Sequence, residues 1–165
     1  MKPLYINDTL DKEPMLKYGS TFSLVGATGS GKTTMALKIA VENAKLGNSV
    51  WFIGTEYISL YYQEIITNRL KEFALGLPIT IFNPTFYDHL EFYELLCSNP
   101  ADIIIIDNIE DVGDSDIELE DIIKSINRFI FHTQTKILMI THRPTPDKVI
   151  DESILEASDM AFEIV

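Results

Sequence analysis

The sequence is constrained most by Gly26–Thr33, which matches the pattern G-x-x-x-x-G-K-[ST] at every fixed position. A short apolar run at 21–25 precedes this segment, and good helix formers with helical apolar spacing follow it at 34–40. A strand, a glycine-rich turn and a helix in this order predict a loop whose backbone N–H groups surround phosphate oxygens, assisted by the helix dipole. The alternative interpretation is a glycine-rich turn that merely joins a strand to a helix.

The loop also predicts which ligands would bind. We expect Lys32 to reach the β- and γ-phosphates of a nucleotide, and the Thr33 hydroxyl to occupy one coordination position on Mg²⁺. ATP and Mg²⁺ are therefore the predicted ligands. The predicted nucleotide-binding residues are Ala27, Thr28, Gly29, Ser30, Gly31, Lys32, Thr33 and Thr34.

Length and composition indicate one domain, 1–165, with a polar N-terminal arm over 1–18. The single cysteine, Cys97, excludes an internal disulfide, and its place in a predicted helix favours a buried thiol. The first residues lack the apolar core of a signal peptide, and no run approaches the length of a membrane span. We therefore expect no membrane partner and a cytoplasmic location, which is the bacterial host cytoplasm if a phage encodes the chain.

The net charge of −12, from 25 acidic and 13 basic residues, opposes binding to nucleic acid. Nonspecific binding depends on Lys and Arg that neutralise phosphates, and only three arginines are available here. We expect the isolated chain to bind nucleic acid weakly.

Predicted strands and helices alternate along the chain. Strands are expected at 49–55, 79–82, 103–107, 136–141 and 160–165, in addition to the one before the loop. Helices are expected from 57 to about 74, through a stripe of Phe86, Leu90, Tyr93 and Cys97, and through a stripe of Leu119, Ile122, Ile123, Ile126 and Ile130. The pattern predicts an α/β fold: an open, mainly parallel sheet with helices on both faces.

Two carboxylates are candidates for the chemistry. Asp107 ends a run of four isoleucines, at the edge where open α/β sheets bind ligands, and we expect it to hold Mg²⁺ opposite Thr33. The residue that follows, Asn108, cannot act as a base, so Glu56 at the end of the second strand is the predicted group that positions the attacking water. Alternatively, Asp107 is a turn or cap residue, and Glu56 only stabilises a helix N-terminus.

With Glu56 and Lys32, His142 is the third predicted catalytic residue. It follows the strand expected between those of the phosphate loop and Asp107, so it can contact the γ-phosphate or the water. The alternative is an exposed loop histidine. Glu110 and Asp111 are further candidates for the base, in an acidic loop that otherwise reads as a solvated face.

Together these motifs resemble the RecA-type core, and most of all the ATPase domain of hexameric replicative helicases of the DnaB and phage primase-helicase kind. The resemblance runs from about residue 19 to 165. It includes the phosphate loop, the strand ending at Glu56, a Walker B strand ending at Asp107, and a sensor strand that continues through His142 into 143–148. It implies ATP hydrolysis with Mg²⁺, in DNA replication, recombination or packaging.

The sequence departs from that family in three ways. The loop after His142 is short and carries only Arg143 and Lys148 as cations, which are the candidate contacts to nucleic acid or to a neighbouring subunit. Those helicases continue beyond the position of Val165 into strands that supply an arginine finger, and they carry a hexamer-forming N-terminal domain; we expect neither feature in this chain. We therefore expect a slow ATPase as a monomer, a homo-oligomer or a larger replication or packaging complex as the active form, and a phage or mobile-element origin as one hypothesis. The alternatives are a regulatory nucleotide-binding module that docks on a larger helicase or motor, and a small-molecule kinase.

Overall fold

The computed structural model describes residues 21–27, 29–54, 68, 79–82, 88–98, 101–112, 118–142 and 152–164. In chain order its elements are β1 (Thr21–Gly26), α1 (Lys32–Lys45), β2 (Val50–Gly54), β3 (Ile79–Phe82), α2 (His89–Ser98), β4 (Ile103–Asp107), a 3₁₀ turn (Ile109–Asp111), α3 (Leu119–Phe131), β5 (Lys136–His142), α4 (Glu152–Ala157) and β6 (Met160–Ile164). Of the helix predicted from 57 to 74 the structure describes only residue 68, which is helical, and the arm over 1–18 lies outside the described residues.

The described strands form one six-stranded sheet in the order β3-β2-β4-β5-β1-β6. Every neighbouring pair is parallel, which confirms the predicted α/β architecture. As predicted, β5 lies between β1 and β4. On the other side of β4 lies β2. The C-terminal ends of β1, β4 and β5 therefore meet at one edge of the sheet, which is where a parallel α/β sheet binds its ligand.

The sheet is buried on both faces, which explains why its central strand has no alternation of polar residues. Ile103 and Ile105 of β4 pack in the core that contains α1, whereas Ile104 and Ile106 pack in the core that contains α2 and α3. Each fully buried aliphatic side chain contributes about 1.5–3 kcal/mol relative to an exposed one. A strand that contributes to two cores in this way fixes the position of the residue at its end, Asp107.

The predicted buried face of α2 is wrong. Leu90 is 53% exposed and Cys97 is exposed, while Phe92 and Leu96 are the buried residues of this helix. The helix is apolar on two faces, and its packing against α3 selects the face with Phe92 and Leu96. For α3 the predicted stripe is confirmed, with Phe129 as an additional buried residue.

Polar groups join the strand starts at the N-terminal edge of the sheet. Asp102 Oδ2 accepts from the Ser49 backbone N–H at 2.8 Å and from the Ser49 hydroxyl at 3.2 Å. The Thr135 hydroxyl donates to the Ala101 carbonyl at 2.7 Å. These bonds join the residues that precede β2, β4 and β5, so they fix the register of the central strands.

Candidate nucleotide-binding site

The phosphate loop leaves the sheet at Gly26 and enters α1 at Lys32. Gly29 has φ 75° and Gly31 has φ 94°. This left-handed backbone conformation costs free energy in residues that have a Cβ, so it favours glycine. Gly31 is the N-cap of α1. Glycine has no side chain to accept a hydrogen bond from the first turn, and the first turn contains no acidic residue. Because the first amides of a helix need an acceptor, this helix end can bind an anion.

The Lys32 side chain folds back over the loop. Its Nζ donates to the carbonyls of Gly26 and Ala27, each at 2.7 Å. The ammonium charge is therefore held inside the turn that is expected to surround phosphate. A phosphate there would be contacted by both this cation and the N-terminus of α1.

Thr33 and Asp107, the two predicted metal ligands, are brought together by the fold. The Thr33 hydroxyl donates to Asp107 Oδ2 at 2.8 Å, although 74 residues separate them in sequence. Burial raises the pKa of the Asp107 carboxyl above its usual range, the Thr33 hydrogen bond and the Lys32 charge oppose that rise, and the Glu110 carboxylate adds to it. Asp107 is thus a buried acid whose charge would be stabilised by a cation.

Glu110 lies at the same edge of the sheet, in the 3₁₀ turn that follows Asp107. It is exposed, and its carboxylate accepts a hydrogen bond from the hydroxyl of Thr141 near the end of β5. The sequence indicates Glu110 as a further candidate for the base, in a loop otherwise interpreted as solvated, and does not predict its contact with Thr141. No local pattern could have revealed the contact, because Thr141 lies 31 residues away and its own motif gives no hint of a carboxylate partner.

Several predicted residues are partly or wholly outside the described structure. For His142 the structure describes the backbone, which pairs with Gly26 at the end of β5, but not the side chain. Asp111 is likewise described only by its backbone, in the 3₁₀ turn. Thr28, Glu56, Arg143 and Lys148 lie outside the described residues; the strand before Glu56 ends at Gly54, which pairs with Asp107. The roles assigned to these residues stay predictions.

The residues present fit a nucleotide with its metal ion. Among the described residues, the Ser30 hydroxyl oxygen is buried and has no hydrogen-bond partner, and it belongs to the loop itself. A Cβ built at Gly29 or Gly31 would meet no described atom within 4 Å apart from the adjoining residues, so the loop is open at these two glycines. The Thr33 hydroxyl and the Asp107 carboxylate are hard oxygen ligands of the kind that Mg²⁺ prefers.

A parallel sheet with a phosphate loop after β1 and an acidic residue at the end of β4 defines a P-loop fold of the RecA-like class. In sequence the chain is 28% identical over 117 residues to the protein RecA of Marinobacter nauticus, in a match that covers 64% of this chain and 32% of that protein. The chain spans about a third of the length of the curated relatives that it matches. No family model matches the chain.

Solved structures have the same fold. A KaiC-like protein from the archaeon Pyrococcus horikoshii superposes with a TM-score of 0.65 at 17% identity, over 87% of this chain and 71% of that chain. A DnaB-like replicative helicase superposes with a TM-score of 0.61 at 11% identity, over 86% of this chain and 46% of that chain. The chain therefore has a RecA-like P-loop core, similar to the corresponding domain of DnaB-like helicases, which confirms the resemblance drawn from its motifs. In the part of the chain that the structure describes, no helix is both long and apolar enough to cross a membrane.

Proposed function

We propose that this chain binds ATP with Mg²⁺ and hydrolyses it. The observation that carries the proposal is the contact of Thr33 with Asp107, which joins the predicted phosphate loop to the predicted Walker B strand. With Lys32 held in the loop, one small region contains a cation for phosphate and two oxygen ligands for a metal ion. The coincidence of three separately predicted groups supports nucleotide chemistry over a structural turn.

Each residue has a distinct role in this proposal. Lys32 binds the β- and γ-phosphates, and the loop amides with Ser30 bind the remaining phosphate oxygens. Bound Mg²⁺ would neutralise charge on the phosphate oxygens, with Thr33 and Asp107 as its protein ligands. Glu56 orients the attacking water, and His142 contacts the γ-phosphate from the end of β5.

The proposal includes slow turnover by the monomer. Stabilisation of the transferring phosphoryl group by an arginine is worth about 10³–10⁵ in rate. The arginine in the described residues, Arg128, lies on α3 with its guanidinium 4.5 Å from the centre of the Tyr93 ring, where it packs between α2 and α3. Arg143 of a neighbouring subunit, or an arginine of a partner protein, would supply the missing charge.

The test is ATPase activity against protein concentration, with Glu56→Gln as the variant. We expect turnover per chain to rise with concentration, and Glu56→Gln to abolish it while ATP affinity measured by calorimetry stays near that of wild type. Glu42→Gln, which removes an exposed acid at the far end of α1, is the matched control. Concentration-independent fast turnover, or an active Glu56→Gln variant, would refute the assignment.

We place this activity in DNA replication, recombination or packaging, in the cytoplasm, because the sequence relative is RecA and one structural neighbour is a replicative helicase. A phage or mobile-element origin remains a hypothesis. Any contact with nucleic acid is assigned to Arg143 and Lys148, and with a net charge of −12 it is weak in the isolated chain. Tight binding of single-stranded DNA at physiological salt that survives substitution of both residues would contradict this assignment.

A second candidate is a regulatory module that binds nucleotide and docks on a larger helicase or motor. The acidic composition favours it, because a surface of one sign suits a basic partner. Solution mass with and without Mg·ATP and single-stranded DNA separates the candidates: self-assembly supports the oligomeric ATPase, and a persistent monomer that binds ATP without turnover supports the module. A small-molecule kinase would form ADP only when a hydroxyl acceptor is added.

A further inference from the structure

The segment from Asp107 to Glu110 is hydrogen-bonded on both sides at the ligand edge of the sheet. Asp107 accepts from Thr33 on the phosphate-loop side. Three residues later, Glu110 accepts from Thr141 on β5. One short segment is thus bonded both to the expected metal site and to the strand that leads to His142.

The turn that carries Glu110 is firmly anchored. Ile109 and Val112, on either side of Glu110 and Asp111, are both buried in the core that contains α2 and α3. The 3₁₀ turn itself packs against β5. Because these contacts fix the backbone of the turn, the Cα of Glu110 has a fixed position, and its exposed side chain reaches Thr141 from there.

Thr141 occupies the point where β1, β4 and β5 converge. It is 1% exposed and pairs with Val25, while the residue before it, Ile140, pairs with Asp107 and the residue after it, His142, pairs with Gly26. A displacement of the Thr141 backbone would therefore move the end of β5 relative to the first residue of the phosphate loop.

We propose that Glu110 is a positioning residue that acts through Thr141 to set the end of β5, and so the discrimination between ATP and ADP. The inference rests on the proposed function of the loop and deepens it. A hydrogen bond to a charged acceptor is stronger than one between neutral groups, so the carboxylate holds the hydroxyl firmly. The γ-phosphate is the part of ATP that ADP lacks. The strand end fixed by this bond includes His142, the residue to which the proposed function assigns contact with the γ-phosphate.

The experiment measures the affinities for Mg·ADP and for a β,γ-imido ATP analogue by calorimetry. We expect Thr141→Val, which removes the hydroxyl at constant shape, to weaken analogue binding about tenfold while ADP affinity changes less than about twofold. Glu110→Ala should do the same. Thr141→Ser should restore the discrimination, and Glu110→Gln should keep most of it because the amide oxygen can still accept the hydrogen bond.

Three controls make the result decisive. Glu120→Gln removes an exposed acid paired with Lys124 on α3 and should behave as wild type. The double variant Glu110→Ala with Thr141→Val should lose no more analogue affinity than either single variant, since each substitution removes the same hydrogen bond. Thermal unfolding of each variant, followed by circular dichroism, confirms that the protein measured is folded.

The outcomes separate this inference from the proposed function. Additive effects in the double variant, wild-type discrimination in Thr141→Val, or equal losses for ADP and analogue would overturn the role of Glu110 alone. A wild-type chain that binds neither nucleotide would overturn the proposed function and this inference together.

Discussion

The two edges of the sheet contain the same kinds of polar residues but use them differently. At the N-terminal edge, Asp102 accepts the Ser49 amide, while the Ser49 hydroxyl oxygen accepts the Asp102 amide at 3.0 Å. At the C-terminal edge, Asp107 ends the same β4 region five residues later, is 5% exposed, and is bonded to the side-chain hydroxyl of Thr33. One carboxylate is bonded to the backbone that precedes a neighbouring strand; the other is bonded to a side chain in the first turn of α1.

The difference shows how an acid at one end of a strand serves stability, while an acid at the other end of the same strand serves ligand binding. A hydrogen bond to a charged group contributes about 1.5–3 kcal/mol, so the contacts of half-buried Asp102 with Ser49 stabilise the fold directly. The Asp107 carboxyl is destabilised by its burial, as its raised pKa indicates. A buried carboxyl with a perturbed pKa, whose ionised form a bound cation would stabilise, is typical of a functional site.

The largest expected effect is at the C-terminal edge, for Lys32→Ala. We expect ATP affinity to fall about 100-fold, because the variant loses the ammonium that the loop holds at Gly26 and Ala27 and leaves phosphate charge without a partner. Calorimetric titration of Mg·ATP measures it. Lys45→Ala, at the other end of α1, removes an exposed lysine paired with Glu42 and should leave affinity unchanged. Equal affinity of the Lys32 variant and wild type would mean that the loop does not bind phosphate.

At the N-terminal edge, the matching change is Asp102→Ala. We expect a loss of about 2 kcal/mol in the free energy of unfolding, since the Ser49 amide and hydroxyl lose their acceptor. Urea unfolding measures the loss, and ATP affinity measured in the same preparation should not change. A variant with wild-type stability and weakened nucleotide binding would reverse the assignment of the two edges.

The sequence predicted the features that depend on local pattern. Four consecutive isoleucines indicate a strand covered on both sides, and the glycine-rich motif indicates the loop, because each signal lies within a few residues. The Thr33–Asp107 contact was also predictable, since each partner belongs to a motif with a known place at the end of a strand or the start of a helix.

The sequence failed where packing between distant segments makes the choice. The α2 helix carries apolar residues on two sides, and only its contact with α3 buries Phe92 and Leu96 in preference to Leu90 and Cys97. The Glu110–Thr141 contact depends on how a turn after β4 lies against β5. Both outcomes are set by long-range geometry that spacing along the chain does not encode.

A smaller effect is expected for Thr135→Val at the N-terminal edge. The substitution keeps the shape of the side chain and removes the hydroxyl that donates to the buried carbonyl of Ala101. We expect about 1 kcal/mol of lost stability in urea unfolding, with no change in ATP affinity. A neutral result would show that Asp102 and Ser49 suffice to join these strands without Thr135.

The smallest expected change in stability is for Asp107→Asn without nucleotide or Mg²⁺. Unlike the two substitutions at the N-terminal edge, this one is expected to stabilise the protein. The amide oxygen can still accept from Thr33, while the buried charge is removed, so we expect the variant to be more stable than wild type by up to about 1 kcal/mol at pH 7.5. The pH dependence follows from the raised pKa. Between the unfolded pKa and the higher folded pKa, the folded protein binds more protons than the unfolded chain, so the contribution of this carboxyl to stability falls as pH rises through that window.

Urea unfolding of wild type and Asp107→Asn in a chelator, at pH 7.5 and near pH 4, measures the difference between them and cancels the other titrating groups. The advantage of the variant should shrink at the lower pH, because the raised pKa leaves more of the wild-type carboxyl protonated in the folded state there. Adding Mg²⁺ with ATP at pH 7.5 should then favour wild type, because a ligand that binds the folded state stabilises it and the variant has lost a metal ligand. A variant that is less stable than wild type in the chelator at pH 7.5 would show that Asp107, like Asp102, serves the fold.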